Sequence, residues 1–301
     1  MSWILLTVLS ALVLGVYDLL KKMAVRENAV PPVLFWGVIT GLLAWLLLRL
    51  VTPVLPEAWQ AAVTVDPVTL REHGFLFGKG VLVSSSWIFG YFALKHLPIT
   101  LAGPIRSTSP LWTILLAVIL LGEMPSAWQW GGVAIILVAF YLFSLLGKAE
   151  GFSFHKDKWV LFMMVATLLG SVSSLYDKIL LHQLQFSVAT LQFWFSVYLV
   201  VVMVPFVLVW RFGIKNRSRF EWRWTIPTVG IGLLIADAFY FAAISDPEAL
   251  ISVITPVRRT SVIIGFIGGV WFLHERKNVK WKLISLILMI FGVLLLNWKG
   301  Q

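Results

Sequence analysis

The chain has 301 residues, 59% hydrophobic and 13% charged, with a net charge of +10 and no cysteine. Its mean hydropathy of +0.91 excludes an ordinary water-soluble domain. The missing thiols exclude disulfides, thiolate metal sites and a cysteine nucleophile.

A hydrocarbon core about 30 Å thick takes roughly 20 apolar residues per helix. Run lengths then predict ten membrane spans, near 2–22, 32–51, 74–94, 98–121, 126–146, 159–181, 187–211, 225–245, 248–273 and 279–298. The first has no basic leader and carries Asp18, Lys21 and Lys22, so it reads as mature structure rather than a cleaved signal. The third contains Ser84, Ser85 and Ser86 followed by Trp87, a polar stripe and an aromatic at mid-span. Packing is the simpler role for Trp87, and lining a path is the functional one.

The fourth span is rich in proline (Pro98, Pro104, Pro110) and holds Arg106 about eight residues in, ~12 Å deep at 1.5 Å per residue. The eighth holds Asp237, and the ninth holds Pro256, Arg258 and Arg259 near its middle. A charge at such depth costs about 2.5 to 3.5 kcal/mol even on a lenient insertion scale, so these side chains are expected to face the bundle interior. Proline removes a backbone donor, so carbonyls beside Arg106 and Arg258 are expected to be freed toward a cavity.

Short correspondences run through the chain. Tyr17-Asp18 recurs as Tyr176-Asp177, and Tyr91-Phe92-Ala93 as Tyr240-Phe241-Ala242. Pro104-Ile105-Arg106-Ser107-Thr108-Ser109 recurs as Pro256-Val257-Arg258-Arg259-Thr260-Ser261, followed at equal distance by Glu123 and Glu275. The predicted organisation is therefore a repeat over 1–147, a connection over 148–158 and a second repeat over 159–301. Each copy has an odd number of spans, so the copies are inverted and can rock about a shared central site. The predicted fold is all-α and integral to the membrane, with ten helices in two inverted five-helix repeats.

Ten spans, the proline-rich entry to the fourth and ninth, and Leu121-Gly122-Glu123 closing the fourth resemble the drug/metabolite transporter superfamily, EamA type, over nearly the whole chain. The resemblance implies a ten-helix inverted-repeat carrier for small metabolites in the plasma membrane, not an enzyme. Leu273-His274-Glu275 departs from the Leu-Gly-Glu of the first half. The Arg258-Arg259 pair with Arg106 is also similar to the Lys-Arg pair and fourth-helix Lys of the plastidic phosphate translocators, an analogy for organic phosphates.

Arginine offers a planar fork of donors to carboxylate and phosphate oxygens. Arg106, Arg258, Arg259, Asp237 and Trp87 are therefore the candidate substrate residues, and the arginine excess over Asp237 suggests an anion. The structural alternative is that Asp237 neutralises an arginine and the cluster only holds helices together. Tyr17, Asp18, Lys22, Tyr176 and Asp177 are candidates for a gate or a proton relay, with Asp18 and Lys22 expected to pair at i,i+4. The competing function is export of amines through Asp18, Asp177 and Asp237. Glu123 and Glu275, at span ends, read as boundary residues.

No HExxH and no phosphate loop occurs, Gly78-Lys79-Gly80 lacking the spacing, so no cofactor or metal is expected. Gly74-xxx-Gly78 and Gly265-xxx-Gly269 suit close helix packing, within the bundle or across a homodimer. Basic residues cluster in alternate connections: Lys21, Lys22 and Arg26; Lys148, Lys156 and Lys158; Arg211, Lys215, Arg217, Arg219 and Arg223; Arg276, Lys277, Lys280 and Lys282. They are dispersed along loops rather than joined in a nucleic-acid patch. Lys and Arg bias short loops to the cytoplasm, which puts both termini outside, against the usual orientation of the family.

Overall fold

The computed structural model describes every residue except 1, 55–59, 61–62, 122–125, 153, 155, 216, 245, 247–253, 255–256 and 297–301. Among the described residues the chain is all-helical, with no strand. The helices are α1 Trp3–Val25, α2 Val30–Val51, α3 Leu70–His96, α4 Ile99–Ser107, α5 Ser109–Leu121, α6 Ala127–Ala149, α7 Lys158–Lys178, α8 Val188–Leu208, α9 Thr225–Ile244, α10 Ser261–Trp271 and α11 Val279–Leu296. Seven of them, α1, α2, α3, α6, α7, α8 and α9, are long and apolar enough to cross a membrane. Their outer faces stay apolar: Leu47 is 63% exposed, Leu161 57% and Leu137 50%. Such a surface suits lipid, where every backbone polar group must be satisfied within its own helix.

Local sequence explains where helices begin. Thr69 and Glu72 cap α3 reciprocally, as Ser126 and Gln129 cap α6, each hydroxyl accepting from the third residue's amide while that residue's side chain accepts from the cap's own amide. Ser187 caps α8 through the amide of Thr190.

The predicted fourth span is not one helix. It breaks at Thr108 between α4 and α5, because Pro110 has no amide hydrogen to continue the ladder and its ring crowds the carbonyl four residues back. The ninth shows the same break at Thr260, just before α10. At both breaks the threonine hydroxyl donates to the carbonyl three residues earlier, Thr108 to Ile105 at 2.7 Å and Thr260 to Val257 at 2.6 Å. The flanking backbone bonds also match: Thr108 N to Ile105 O and Thr260 N to Val257 O, then Leu111 N to Thr108 O and Ile263 N to Thr260 O. The sequence correspondence thus has a conformational counterpart. The threonine hydroxyls take up the carbonyls of Ile105 and Val257; the carbonyl that Pro110 deprives of its helical donor is that of Arg106, four residues back. Pro247, Pro256 and Glu123 lie outside the described residues.

Packing crosses between the two repeats throughout. Helix α1 packs on α9 and α10, α3 on α7 and α8, α2 on α8 and α9, and α4 on α10, while α6 lies against α11. Helices α2 and α9 touch backbone to backbone: a Cβ on Gly230 would stand 2.2 Å from the Gly37 carbonyl oxygen. Only glycine fits that crossing. Gly265 and Gly269 face Ile99 of α4, so that glycine pair serves packing within the bundle rather than a dimer face.

Candidate functional site

Four ion pairs, and one arginine without an ion-pair partner among the described residues, lie at the centre of this packing. Asp18, on the last turns of α1, accepts from Arg106 of α4 at 2.5 Å and from Lys21 at 2.5 Å. The expected partner of Asp18, Lys22, is elsewhere. Its ammonium donates to the carbonyls of Leu94 and Leu97 at 2.6 Å each, because the last carbonyls of α3 lack helical partners and a buried cation satisfies them. Lys21 takes the place next to Asp18 and lies over the rings of Tyr17 and Tyr91, 4.5 and 5.5 Å from their centroids.

In the second repeat the equivalent carboxylate, Asp177, pairs with Lys79 of α3. Arg258, the equivalent of Arg106, turns to Asp237 of α9 at 2.6 Å, takes Ser10 Oγ as a further acceptor at 3.1 Å, and covers the face of Tyr240 at 3.9 Å. Among the described residues Arg259 makes no ion pair and no hydrogen bond.

These groups converge on a cavity of about 190 Å³. Its wall includes Tyr17, Trp87, Tyr91, Asp177, Asp237 and Tyr240, together with five cations: Lys21, Lys79, Arg106, Arg258 and Arg259. Asp18 stands behind Arg106, in a smaller chamber shared by Arg106, Arg259, Ser107 and Ser261. Against five cations stand three carboxylates, leaving an excess of positive charge at the centre of an apolar bundle. The size lies below the roughly 300 to 1,000 Å³ of pockets for drug-sized ligands, and fits a small metabolite.

Of the residues singled out from sequence, Arg106, Arg258, Arg259, Asp237, Trp87, Tyr17 and Asp177 come together here. Trp87 packs edge-on against Phe195 at 6.4 Å, and of the neighbouring serines Ser86 shares the cavity wall while donating to Ala166 O. Tyr176 does not join them: its hydroxyl donates to the Phe75 carbonyl at 3.0 Å and so ties α7 to α3. Lys22 also stays out of the cavity wall.

Sequence reasoning passed over Lys79. It lies nine residues past the start of α3, ~14 Å along the axis, and the depth argument that selected Arg106 selects it equally. Lys21, Lys22 and Lys282, counted above as loop charges, are buried at 6%, 6% and 1% exposure. They belong to the interior rather than to the orientation signal.

The model of the EamA-like transporter family matches residues 1–145 and again 157–298. The chain belongs to that family. It is a multi-pass membrane protein of a transporter family, with the family's unit present twice. The pseudopaline exporter CntI of Pseudomonas aeruginosa is 25% identical over 258 residues, spanning 84% of this chain and 82% of that protein. A Lactobacillus johnsonii protein provisionally named for sugar uptake is 25% identical over 234 residues, spanning 73% of this chain and 79% of that one. A crystal structure of a further protein superposes with a TM-score of 0.60 at 16% identity, covering 97% of this chain and 96% of the other, which speaks to fold alone.

Proposed function

We propose that this EamA-family member is a secondary carrier that moves a small anionic metabolite, an organic phosphate or carboxylate, through the central cavity by alternating access. The proposed architecture is ten spans in two inverted halves, 1–147 and 159–301, joined by 148–158. The observation that carries the anionic reading is the cavity's charge: five cations meet three carboxylates, and Arg259 has no ion-pair partner among the described residues. An unpaired guanidinium in a low-dielectric setting favours an exchangeable anion as its partner. The competing amine reading is weakened because Asp18, Asp177 and Asp237 each already hold a cation. The two named relatives support a small-molecule substrate, with export in one case and uptake in the other. The basic connections that remain exposed, such as Arg217 and Arg219, favour a cytoplasmic position in the plasma membrane, with both termini outside.

The test is thermal stability of the purified protein against phosphate esters, carboxylates and amines. A ligand held only by the folded state adds about 2.7 kcal/mol at a hundredfold excess over Kd. Arg259→Gln should keep the parent stability and lose the anion response. Arg258→Gln should lower stability as well, because it strands Asp237. Stabilisation by amines alone, unchanged in Arg259→Gln, would overturn the anionic assignment.

A further inference from the structure

Glu275, read from sequence as a boundary residue, is a connector. Helix α4 begins at Ile99 after Pro98, with no side-chain cap of its own. Both oxygens of Glu275 fill that role from the other repeat, Oε1 accepting from Ile99 N at 2.9 Å and Oε2 from Thr100 N at 2.8 Å. An acidic group on the first free amides of a helix is favoured by both hydrogen bonding and the helix dipole.

The same α3–α4 turn is also held by Lys22, whose ammonium donates to the Leu94 and Leu97 carbonyls. Lys282 of α11 adds a third contact, donating to Thr100 Oγ1 at 3.1 Å and to Glu150 at 2.8 Å. Four helices therefore meet on one turn. Their approach is close: a Cβ on Gly269 would lie 2.6 Å from Ile99 and 3.1 Å from Glu275 Oε2.

The backbone delivers Glu275 to this place at a conformational cost. His274 has φ 57°, in the left-handed region that favours glycine, and the Glu275 amide turns back to the Gly269 carbonyl at 3.0 Å. A glycine would adopt this conformation at position 274 without strain. The latched turn lies at the end of the cavity: Leu94 lines the cavity and also the chamber shared with Ile99 and Arg106, and Arg106 follows two turns into α4.

We propose that Glu275 is a positioning residue that latches the α3–α4 turn and closes the cavity toward the face carrying that turn, and that its release from the Ile99 and Thr100 amides accompanies the opening of this face. The inference rests on the alternating-access reading, and it adds a named closure on one side of the cavity.

The native chain has no cysteine, so single cysteines report access without background. Met163→Cys lies near the start of α7 and lines the cavity, while Ser174→Cys lines it toward the other end of that helix. Each is labelled with a membrane-impermeant maleimide in sealed vesicles, a Lys215→Cys reference defining the latched face. In Glu275→Gln, labelling of Met163→Cys from the latched face should rise about tenfold, while labelling of Ser174→Cys from the opposite face falls. Lys22→Met, which removes the contacts to the Leu94 and Leu97 carbonyls of the same turn, should shift both sites in the same directions. Equal rises at both sites would mean a loosened fold and overturn the latch, as would unchanged labelling in both variants. Because the readout uses no substrate, a missing anion response in the parent would sink the substrate assignment and leave this result standing.

Discussion

Asp18 and Asp177 occupy equivalent positions in the two repeats, yet their surroundings differ. Asp18 holds two cations, Arg106 and Lys21. Asp177 holds Lys79, while the arginine that corresponds to Arg106 goes to Asp237. The helix breaks show the opposite behaviour, with Thr108 and Thr260 making the same bonds to the same relative positions. The two copies of the family's unit thus share the backbone device that interrupts the helix, while the charges around it differ.

The largest expected effect comes from breaking the pair between Asp177 of the second repeat and Lys79 of the first. Lys79 and Asp177 have side chains only 4% and 12% exposed, so Lys79→Met strands a buried carboxylate and should cost about 3 to 5 kcal/mol of stability. Adding Asp177→Leu should restore most of it, which a denaturation series on the single and double variants would check. Failure of the second substitution to rescue would mean that Lys79 acts through packing against Phe195, which its ammonium approaches to 4.9 Å.

A smaller effect sharpens the symmetric side of the comparison. Thr108→Val and Thr260→Val each remove one hydroxyl from a break carbonyl that keeps its backbone donor, and should each cost about 0.5 to 1.5 kcal/mol, with near-equal falls in melting temperature. Markedly unequal falls would show that the two breaks are not mechanically equivalent.

The smallest concerns the connection before α3. Asp66 accepts from Ser187 and Thr190 at the start of α8, and these hydroxyls hold its carboxyl below the usual carboxylate range. A depressed folded value contributes stability above the unfolded value, lost as pH falls through the folded one. Asp66→Asn should therefore lower stability slightly at neutral pH and leave it unchanged once the folded carboxyl is protonated, the difference closing as the pH falls through the acid range. A gap that persists in strong acid would assign the effect to the altered hydrogen-bond geometry.

Much of this was legible from single positions. Arg106, Arg258, Arg259 and Asp237 stood out as charges deep in apolar runs, and the bundle does gather them. Lys79 was equally deep and was hidden by two flanking glycines that invited comparison with a phosphate loop. Lys22 and Glu275 could not be read from their positions. Each sits at a helix end, where sequence admits both a solvated charge and a buried cap, and the choice depends on which free amides or carbonyls a distant segment brings alongside.

By itself the sequence determined that this is a duplicated, helical, membrane-embedded transporter chain. Hydrophobic run length, proline placement and the repeated Tyr-Asp and Pro-x-Arg segments are local properties, and the bilayer leaves the backbone few alternatives. Only the tertiary structure decided which charge meets which, that Arg259 is left without an ion-pair partner among the described residues, and that Glu275 caps a helix from 175 residues away. Ion pairing inside a bundle is set by side-chain reach and by the direction each helix face takes after packing, and those follow from contacts between segments far apart in the chain.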